Sequence, residues 1–181
     1  MKNIILGVTG SIAAYKAAEI AHLLFKKGFQ VEVIMTNGAT KFVTPLTFRT
    51  LTQNRVHTDV FQDDFPNEVK HISLAQKADA VLIAPATANI IGKIAGGIGD
   101  DMLSTTILAV KDKPVLIAPA MNTNMWENPI VQDNIAKLTK YGYRIIEPKE
   151  GLLACATTGK GALADVDKIV AAVTSAVEKS I

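Results

Sequence analysis

The chain has 181 residues, 49% of them hydrophobic and 20% charged, a balance that places it with single-domain globular proteins over residues 1–181 and excludes a disordered chain. Nineteen Lys and Arg against seventeen Asp and Glu leave a net charge of +2, too small and too scattered to make nucleic acid or an anionic membrane the main partner. The single cysteine, Cys155, rules out an internal disulfide framework and a clustered cysteine metal site.

Apolar β-rich runs alternate with helix-length segments along the chain. Residues 4–8 read as the first strand, followed by a helix over 12–27 that carries His22. A second strand covers 31–35 and a helical stretch 45–51, and His57 sits in a short β-like piece. From 56 to 70 no period is visible, which makes DVFQDDFPNE the candidate mobile excursion. His71 opens a short helical run, HISLAQKA, just before a strand over 80–84. Helices follow at 88–94 and 102–110, then a strand at 115–118, a helix at 129–141, a strand at 144–146, a Gly/Thr loop over 151–161 and a last helix at 166–178.

Strands alternating with helices imply βαβ crossovers and a parallel sheet covered on both faces, and AVLIA and VLIA are continuously apolar, as doubly buried strands are. The expected fold is α/β, a three-layer doubly wound parallel sheet of the Rossmann or flavodoxin-like kind. No apolar run approaches the roughly 18 residues of a membrane span. The opening NIILGV has no basic n-region or cleavage site of a secretory signal, so a cytoplasmic location is expected.

Sheets of this kind bind ligands at the carboxyl ends of their strands, so the loops after the strands carry the functional information. After the first strand come Gly10, Ser11 and Ile12 with small Ala13 and Ala14, a set suited to close backbone approach and to an anion at a helix start. It lacks the Lys-Ser/Thr of a Walker loop and the third glycine of a dinucleotide fingerprint, and it equally suits an ordinary strand-to-helix turn. Thr36, Asn37 and Gly38 form a polar turn after the second strand. Thr87, Ala88, Asn89 and Ile90 follow the third. Ala120, Met121, Asn122, Thr123, Asn124, Met125 and Trp126 follow the fourth, a concentration of amides, thioethers and the sole tryptophan that core filling does not account for. Cys155 is either a small buried hydrophobe or a working thiol. Three dispersed histidines without carboxylate spacing give no metal signature.

Taken together, GVTGSIAAYKAA, PATAN with AGGIGDDML, APAMNTNMW and LLACATTGKGAL resemble the homo-oligomeric flavin-containing cysteine decarboxylases over nearly the whole chain. The first two segments resemble flavin-binding stretches that the wider family shares with flavin prenyltransferases. APAMNTNMW is the specific one, resembling the substrate-recognition pattern Pro-x-Met-Asn-x-x-Met-Trp. The resemblance implies FMN held by Gly10, Ser11, Ile12, Thr36, Asn37, Gly38, Thr87, Ala88, Asn89, Ile90 and Ala120. It implies His71 as the catalytic histidine, Asn122 and Met125 as substrate contacts, and Cys155 as a proton donor. The implied reaction is decarboxylation of 4'-phosphopantothenoylcysteine to 4'-phosphopantetheine in coenzyme A biosynthesis. The implied assembly is a trimer or a dodecamer of trimers, with flavin near a subunit boundary. Two departures stand out. Gln76 and then Lys77 occur where relatives often carry a basic residue five positions after the histidine, which leaves the partner of the substrate's anionic end open. Ala156 and Thr157 replace the usual Gly and acidic residue after the cysteine.

The chemistry explains why a flavin is wanted. Direct loss of carbon dioxide from an acyl-cysteine would strand a carbanion without an electron sink. Oxidising the CH2–SH end to a thioaldehyde places a sink β to the carboxylate, and returning a hydride and a proton to the resulting enethiol closes a redox-neutral cycle. Cys155 suits the proton-donor role, for which it must stay protonated near neutral pH. His71 suits deprotonation or orientation of the substrate thiol. Rival readings are a peptidyl-cysteine decarboxylase that stops at the enethiol, which would lack the reducing cysteine; a flavin prenyltransferase, which would lack APAMNTNMW; and a non-catalytic flavin-binding regulatory subunit, in which a long acidic tail is expected.

Overall fold

The computed structural model describes residues 1–61, 69–152 and 158–179. Six strands, β1 (Asn3–Val8), β2 (Gln30–Met35), β3 (Val56–His57), β4 (Ala80–Ala86), β5 (Val115–Pro119) and β6 (Arg144–Ile145), form one parallel sheet in the order β3-β2-β1-β4-β5-β6. This is the strand order of doubly wound dinucleotide-binding domains, and the direction of winding reverses between β1 and β4. The expected architecture is the observed one.

Side-chain alternation along the central strands separates two cores. Ile4, Leu6 and Val8 of β1 with Leu82 and Ala84 of β4 face α1 (Ala14–Lys26), α2 (Pro45–Thr52) and α8 (Val166–Glu178). Ile5, Val81 and Ile83 face the opposite way, toward α3 (Lys70–Lys77), α4 (Ala88–Gly96), α5 (Met102–Ala109) and α7 (Pro129–Lys140). Because both faces are covered, β4 is buried at all seven positions, which is why its sequence shows no polar alternation. Each buried Leu or Ile contributes about 1.5–3 kcal/mol of transfer free energy.

The helices follow from spacing and caps. In α1 the buried set Ala14, Ala17, Ile20, Ala21 and Leu24 is an i, i+3, i+4, i+7 stripe, and the chain leaves it through Gly28 at φ +87°. Asp101 and Ser104 make a reciprocal capping box that starts α5, and Asn128 with Pro129 starts α7.

Two features differ from the sequence expectation. Residues 123–126 form a short helix, α6 (Thr123–Trp126), and the Gly/Thr stretch expected as a loop is flanked by an antiparallel pair, β7 (Lys149–Leu152) and β8 (Thr158–Ala162). TGKGA has neither the β-branched content nor the alternation that signals a strand. Pairing arises here because the hairpin lies on α6. Cys155 lies outside the described residues, as do positions 62–68 of the excursion between β3 and α3.

Candidate active site

The loops leaving β1, β4 and β5 converge on one cavity of about 500 Å³ at the carboxyl edge of the sheet, beside the point where strand order reverses. Its floor comes from Gly10, Ser11, Ile12 and Ala13 after β1, from Thr87 and Ala88 after β4, and from Ala120, Met121 and Asn122 after β5. Met125 of α6, Tyr15 and Lys16 of α1, and Gly161, Ala162 and Leu163 at the end of β8 complete the wall.

The first loop is shaped by its own backbone. Ser11 N–H donates to the Thr9 carbonyl at 2.9 Å, Ala14 N–H to the Ser11 carbonyl at 2.9 Å, and Ala13 N–H to Ser11 Oγ at 3.3 Å. These turns delay the helix to Ala14, two residues later than the hydrophobic period suggests. The N-cap residue Ala13 has no side chain that can cap α1 and the first turn carries no acidic residue, so the positive end of a 13-residue helix meets the cavity wall. Gly10 is required by contact: a Cβ there would lie 3.0 Å from Cα and C of Gly38, so the loops after β1 and β2 touch backbone to backbone. An anion such as a phosphate fits this set of donors.

The second and third loops are held by local side-chain bonds. Ala39 N–H donates to Thr36 Oγ1 at 3.3 Å, which closes the turn over Asn37 and Gly38. Thr87 caps α4 by accepting from Ile90 N–H. In the fourth loop Asn122 Oδ1 accepts from Asn124 N–H at 2.8 Å and starts α6. Trp126 is buried beneath, with the Lys160 ammonium 5.5 Å from its ring centroid and the Gln132 amide donating to its carbonyl.

The hairpin is fastened to this motif by backbone. Met121 N–H donates to the Gly161 carbonyl at 2.9 Å. Gly161 has φ +148°, and a side chain there would run into the Met121 carbonyl. Gly159 likewise sits against the Thr123 side chain. The segment carrying Met121 and Asn122 is therefore wedged between β5 and β8.

Of the residues singled out in the sequence, Gly10, Ser11, Ile12, Thr87, Ala88, Ala120, Asn122 and Met125 line the cavity. Thr36, Asn37 and Gly38 stand behind it, against Gly10. Asn89 is exposed on α4. The Ile90 side chain is buried in the core and does not reach the cavity. His71 is half-buried in the first turn of α3 and lies outside the cavity wall of this chain. Met121 and the segments carrying Tyr15, Lys16 and 161–163 were singled out in the sequence, but these residues were given no individual role there, and the structure puts them on the cavity wall. The helix period puts Tyr15 and Lys16 about one turn beyond Ser11, which was the available signal for them.

Among the described residues, charge clusters stand on both sides of the sheet. Lys149 bonds Asp165 and holds its carboxyl below the usual carboxylate range, with Lys16 adding to the same field. On the other side of the sheet Lys93 Nζ meets Asp100 at 2.6 Å and Asp101 at 2.7 Å. Burial pushes the Asp101 carboxyl up, but the bonds from Lys93 and from Ser104 N–H outweigh it and hold Asp101 low. Burial opposes the Lys93 charge as well, and the two carboxylates more than offset it, so its ammonium is held above its ordinary range. This brace ties the end of α4 to the start of α5, the helix on which α3 packs.

A cavity at the winding reversal, with an uncapped helix end on one wall and Asn122 on the other, defines an α/β domain built to hold a phosphate-bearing ligand against a polar substrate. The chain belongs to the flavoprotein family, whose model it matches over residues 1–178. It is 49% identical over 170 residues to a probable phosphopantothenoylcysteine decarboxylase of Streptococcus mutans, covering 93% of this chain and 95% of that one. A bifunctional coenzyme A biosynthesis protein of Bacillus subtilis is 50% identical over 169 residues, and there the match spans 93% of this chain but only 41% of the relative. Among solved structures, a PPC decarboxylase mutant complexed with pantothenoylaminoethenethiol superposes with a TM-score of 0.88 at 34% identity, covering 96% of this chain and 97% of that one. The FMN-dependent cysteine decarboxylase SpaF superposes with a TM-score of 0.87 at 34% identity, covering 99% and 97%.

Proposed function

We propose that this chain is an FMN-dependent phosphopantothenoylcysteine decarboxylase, converting 4'-phosphopantothenoylcysteine to 4'-phosphopantetheine in coenzyme A biosynthesis. The observation that carries this reading is the meeting of the Ser11 loop and the Met121–Met125 motif on one cavity, in a chain matching a probable enzyme of that activity along almost its full length.

When bound, FMN supplies a two-electron sink for the CH2–SH end of the substrate and returns the same pair, so the net change is loss of carbon dioxide. The protein's task is to hold, orient and protonate. Gly10, Ser11 and Ile12 with the uncapped start of α1 take the cofactor phosphate. Thr36, Asn37 and Gly38 support that loop, and Thr87, Ala88, Asn89, Ile90 and Ala120 hold the rest, Asn89 and Ile90 as part of the α4 start. Asn122 meets the carboxylate or amide of the substrate and Met125 packs on its carbon chain. Lys16 is the basic residue on the cavity wall among those described, and it suits the substrate phosphate, for which sequence alone offered no partner. His71 orients or deprotonates the thiol. Cys155 delivers the final proton.

A homo-oligomer, a trimer or a dodecamer of trimers, fits this assignment, because His71 lies off the cavity of its own chain and Ile72, Ile98 and Leu108 leave apolar surface exposed on and beside α3 and α5. A cytoplasmic setting fits a coenzyme A biosynthetic step. No helix among the described residues is long and apolar enough to cross a membrane.

The test is anaerobic mixing of the purified, yellow protein with 4'-phosphopantothenoylcysteine, following flavin absorbance and carbon dioxide together. Transient bleaching with stoichiometric gas release is expected. A colourless protein that does not take up FMN, or turnover without it, refutes the assignment.

A further inference from the structure

We propose that Thr9, which is not among the residues lining the cavity, is the positioning residue that sets the spacing between two of the cofactor-holding loops, those after β1 and β4. Thr9 is the last residue before the Gly10 turn and is 2% exposed. Its hydroxyl donates to the Pro85 carbonyl at 2.6 Å and accepts from the Thr87 N–H at 3.0 Å. One oxygen thus satisfies a carbonyl and an amide that flank Ala86, where the register of β4 on β5 shifts and the sheet ladder cannot serve both.

Neighbouring bonds show what this clamp controls. From the other side Ala120 N–H donates to the Ala86 carbonyl at 3.0 Å. The 85–87 segment is therefore pinned between β1 and β5, by a side chain on one flank and by backbone on the other. Backbone pins survive any side-chain exchange, whereas the β1 side depends on a single hydroxyl. The residues on either side of the clamp, Gly10 and Ser11 after Thr9, and Thr87 and Ala88 after Pro85, are cavity wall. Removing the hydroxyl takes the side-chain partner from a part-buried N–H and a buried C=O, and the loops must separate or admit water to satisfy them. Either response alters the distance between two groups that grip one rigid ligand, and ligand affinity is steep in such displacements.

The inference rests on the FMN reading above, and the measurement separates the two. FMN release from purified holoprotein on dilution is followed by recovery of flavin fluorescence for the parent, Thr9→Val, Thr9→Ser and Thr52→Val. The last variant is the control, since Thr52 is equally buried and its hydroxyl donates to the Phe48 carbonyl within α2, away from the cavity. Thr9→Val is expected to bind FMN about tenfold or more weakly, Thr9→Ser within about threefold of the parent, and Thr52→Val like the parent whatever its change in melting temperature. Equal affinity in Thr9→Val and the parent overturns the proposal, as does equal weakening in Thr52→Val. Should Thr9→Val not accumulate folded, Thr9→Cys, whose thiol is only a weak donor and acceptor, is read in its place, and equal affinity in Thr9→Cys and Thr9→Ser overturns the proposal. A parent that holds no FMN refutes the flavoprotein reading instead.

Discussion

Replacing Gly161 by alanine tests whether the hairpin is part of the site or merely lies near it. At φ +148° an L side chain is strained, which costs about 1–3 kcal/mol. The new methyl would also run into the Met121 carbonyl, a backbone atom fixed between β5 and β8 that cannot rotate aside, and overpacking of that kind costs about 1–3 kcal/mol. If the strands part to relieve it, the bond from Met121 N–H to the Gly161 carbonyl is lost, about 1 kcal/mol more. The terms overlap, so about 3–5 kcal/mol is expected in all, and for a domain of this size each kcal/mol moves the melting temperature by roughly 2–4 °C. A thermal melt should therefore fall by about 6–20 °C. Because Met121, Asn122 and Gly161 share the cavity wall, KM for the substrate should rise together with that loss. Gly151→Ala is the matched control on the same hairpin: its methyl would meet only Ala162 Cβ at an ordinary 3.6 Å, and stability within about 0.5 kcal/mol of the parent is expected. If Gly161→Ala melts and turns over like Gly151→Ala, the hairpin is not fastened to the Met121 segment as described.

The remaining expectations concern groups with separable roles. Asn122→Asp keeps the oxygen that caps α6, so its melt should match the parent, while a negative charge facing an anionic substrate should lower kcat/KM by about 10- to 100-fold; Asn122→Ala should lose about 1 kcal/mol of stability as well. His71→Asn should leave FMN bound but abolish its reduction by substrate, and reduction at the parent rate in a rapid-mixing experiment removes His71 from the mechanism. Cys155→Ser should still reduce the flavin and release carbon dioxide while an oxidised enethiol product accumulates, and an unaltered product excludes the thiol as proton donor. The carboxyl of Asp79 is held low chiefly by the Asn3 N–H and further by Lys2, and that of Asp101 is held low by Lys93 and Ser104 against the opposing effect of burial. Depressed values in the folded state mean that this stabilisation is complete above the ordinary carboxylate range and is lost as pH falls through the folded values, so melting temperature should drop below about pH 4. Asp79→Asn and Asp101→Asn should flatten that acid limb, and acid limbs parallel to the parent's would refute the attribution.

The sheet was legible because its signals are local and redundant. AVLIAPA and VLIAP are apolar without alternation, each is followed by a helix with a readable cap or stripe, and the βαβ rhythm leaves few topologies. The loops of the site were legible for a related reason, since a parallel sheet delivers every strand's carboxyl end to one edge. What escaped the sequence depends on long-range contact. The strand character of TGKGA comes from α6 and the Met121 backbone against which Gly159 and Gly161 pack, not from its own propensities. The bracing of residues 85–87 by Thr9 spans 76 positions and has no motif. Ile90 looked like part of a ligand loop by position, yet its side chain belongs to the core of α4 and only its amide, held by Thr87, shapes the turn.

The wall of the cavity explains why the flavin-binding segments of the resemblance are built of glycine, alanine and small polar residues. Gly10, Ala13, Ala88, Ala120, Gly161 and Ala162 supply close backbone approach and little else. Such a surface can grip a flat aromatic ring and a phosphate through amides and van der Waals contact, but it offers few groups that move a proton. Proton chemistry must therefore be brought to the cavity from outside its floor. His71, on α3, is not among the residues that line the cavity of its own chain, and Cys155 falls in the sequence between β7 and β8, outside the described residues. On the assignment proposed above, holding the cofactor and moving protons are tasks of different segments. The Ser11 side should govern how tightly FMN stays, while α3 and the hairpin govern what the bound flavin is allowed to do.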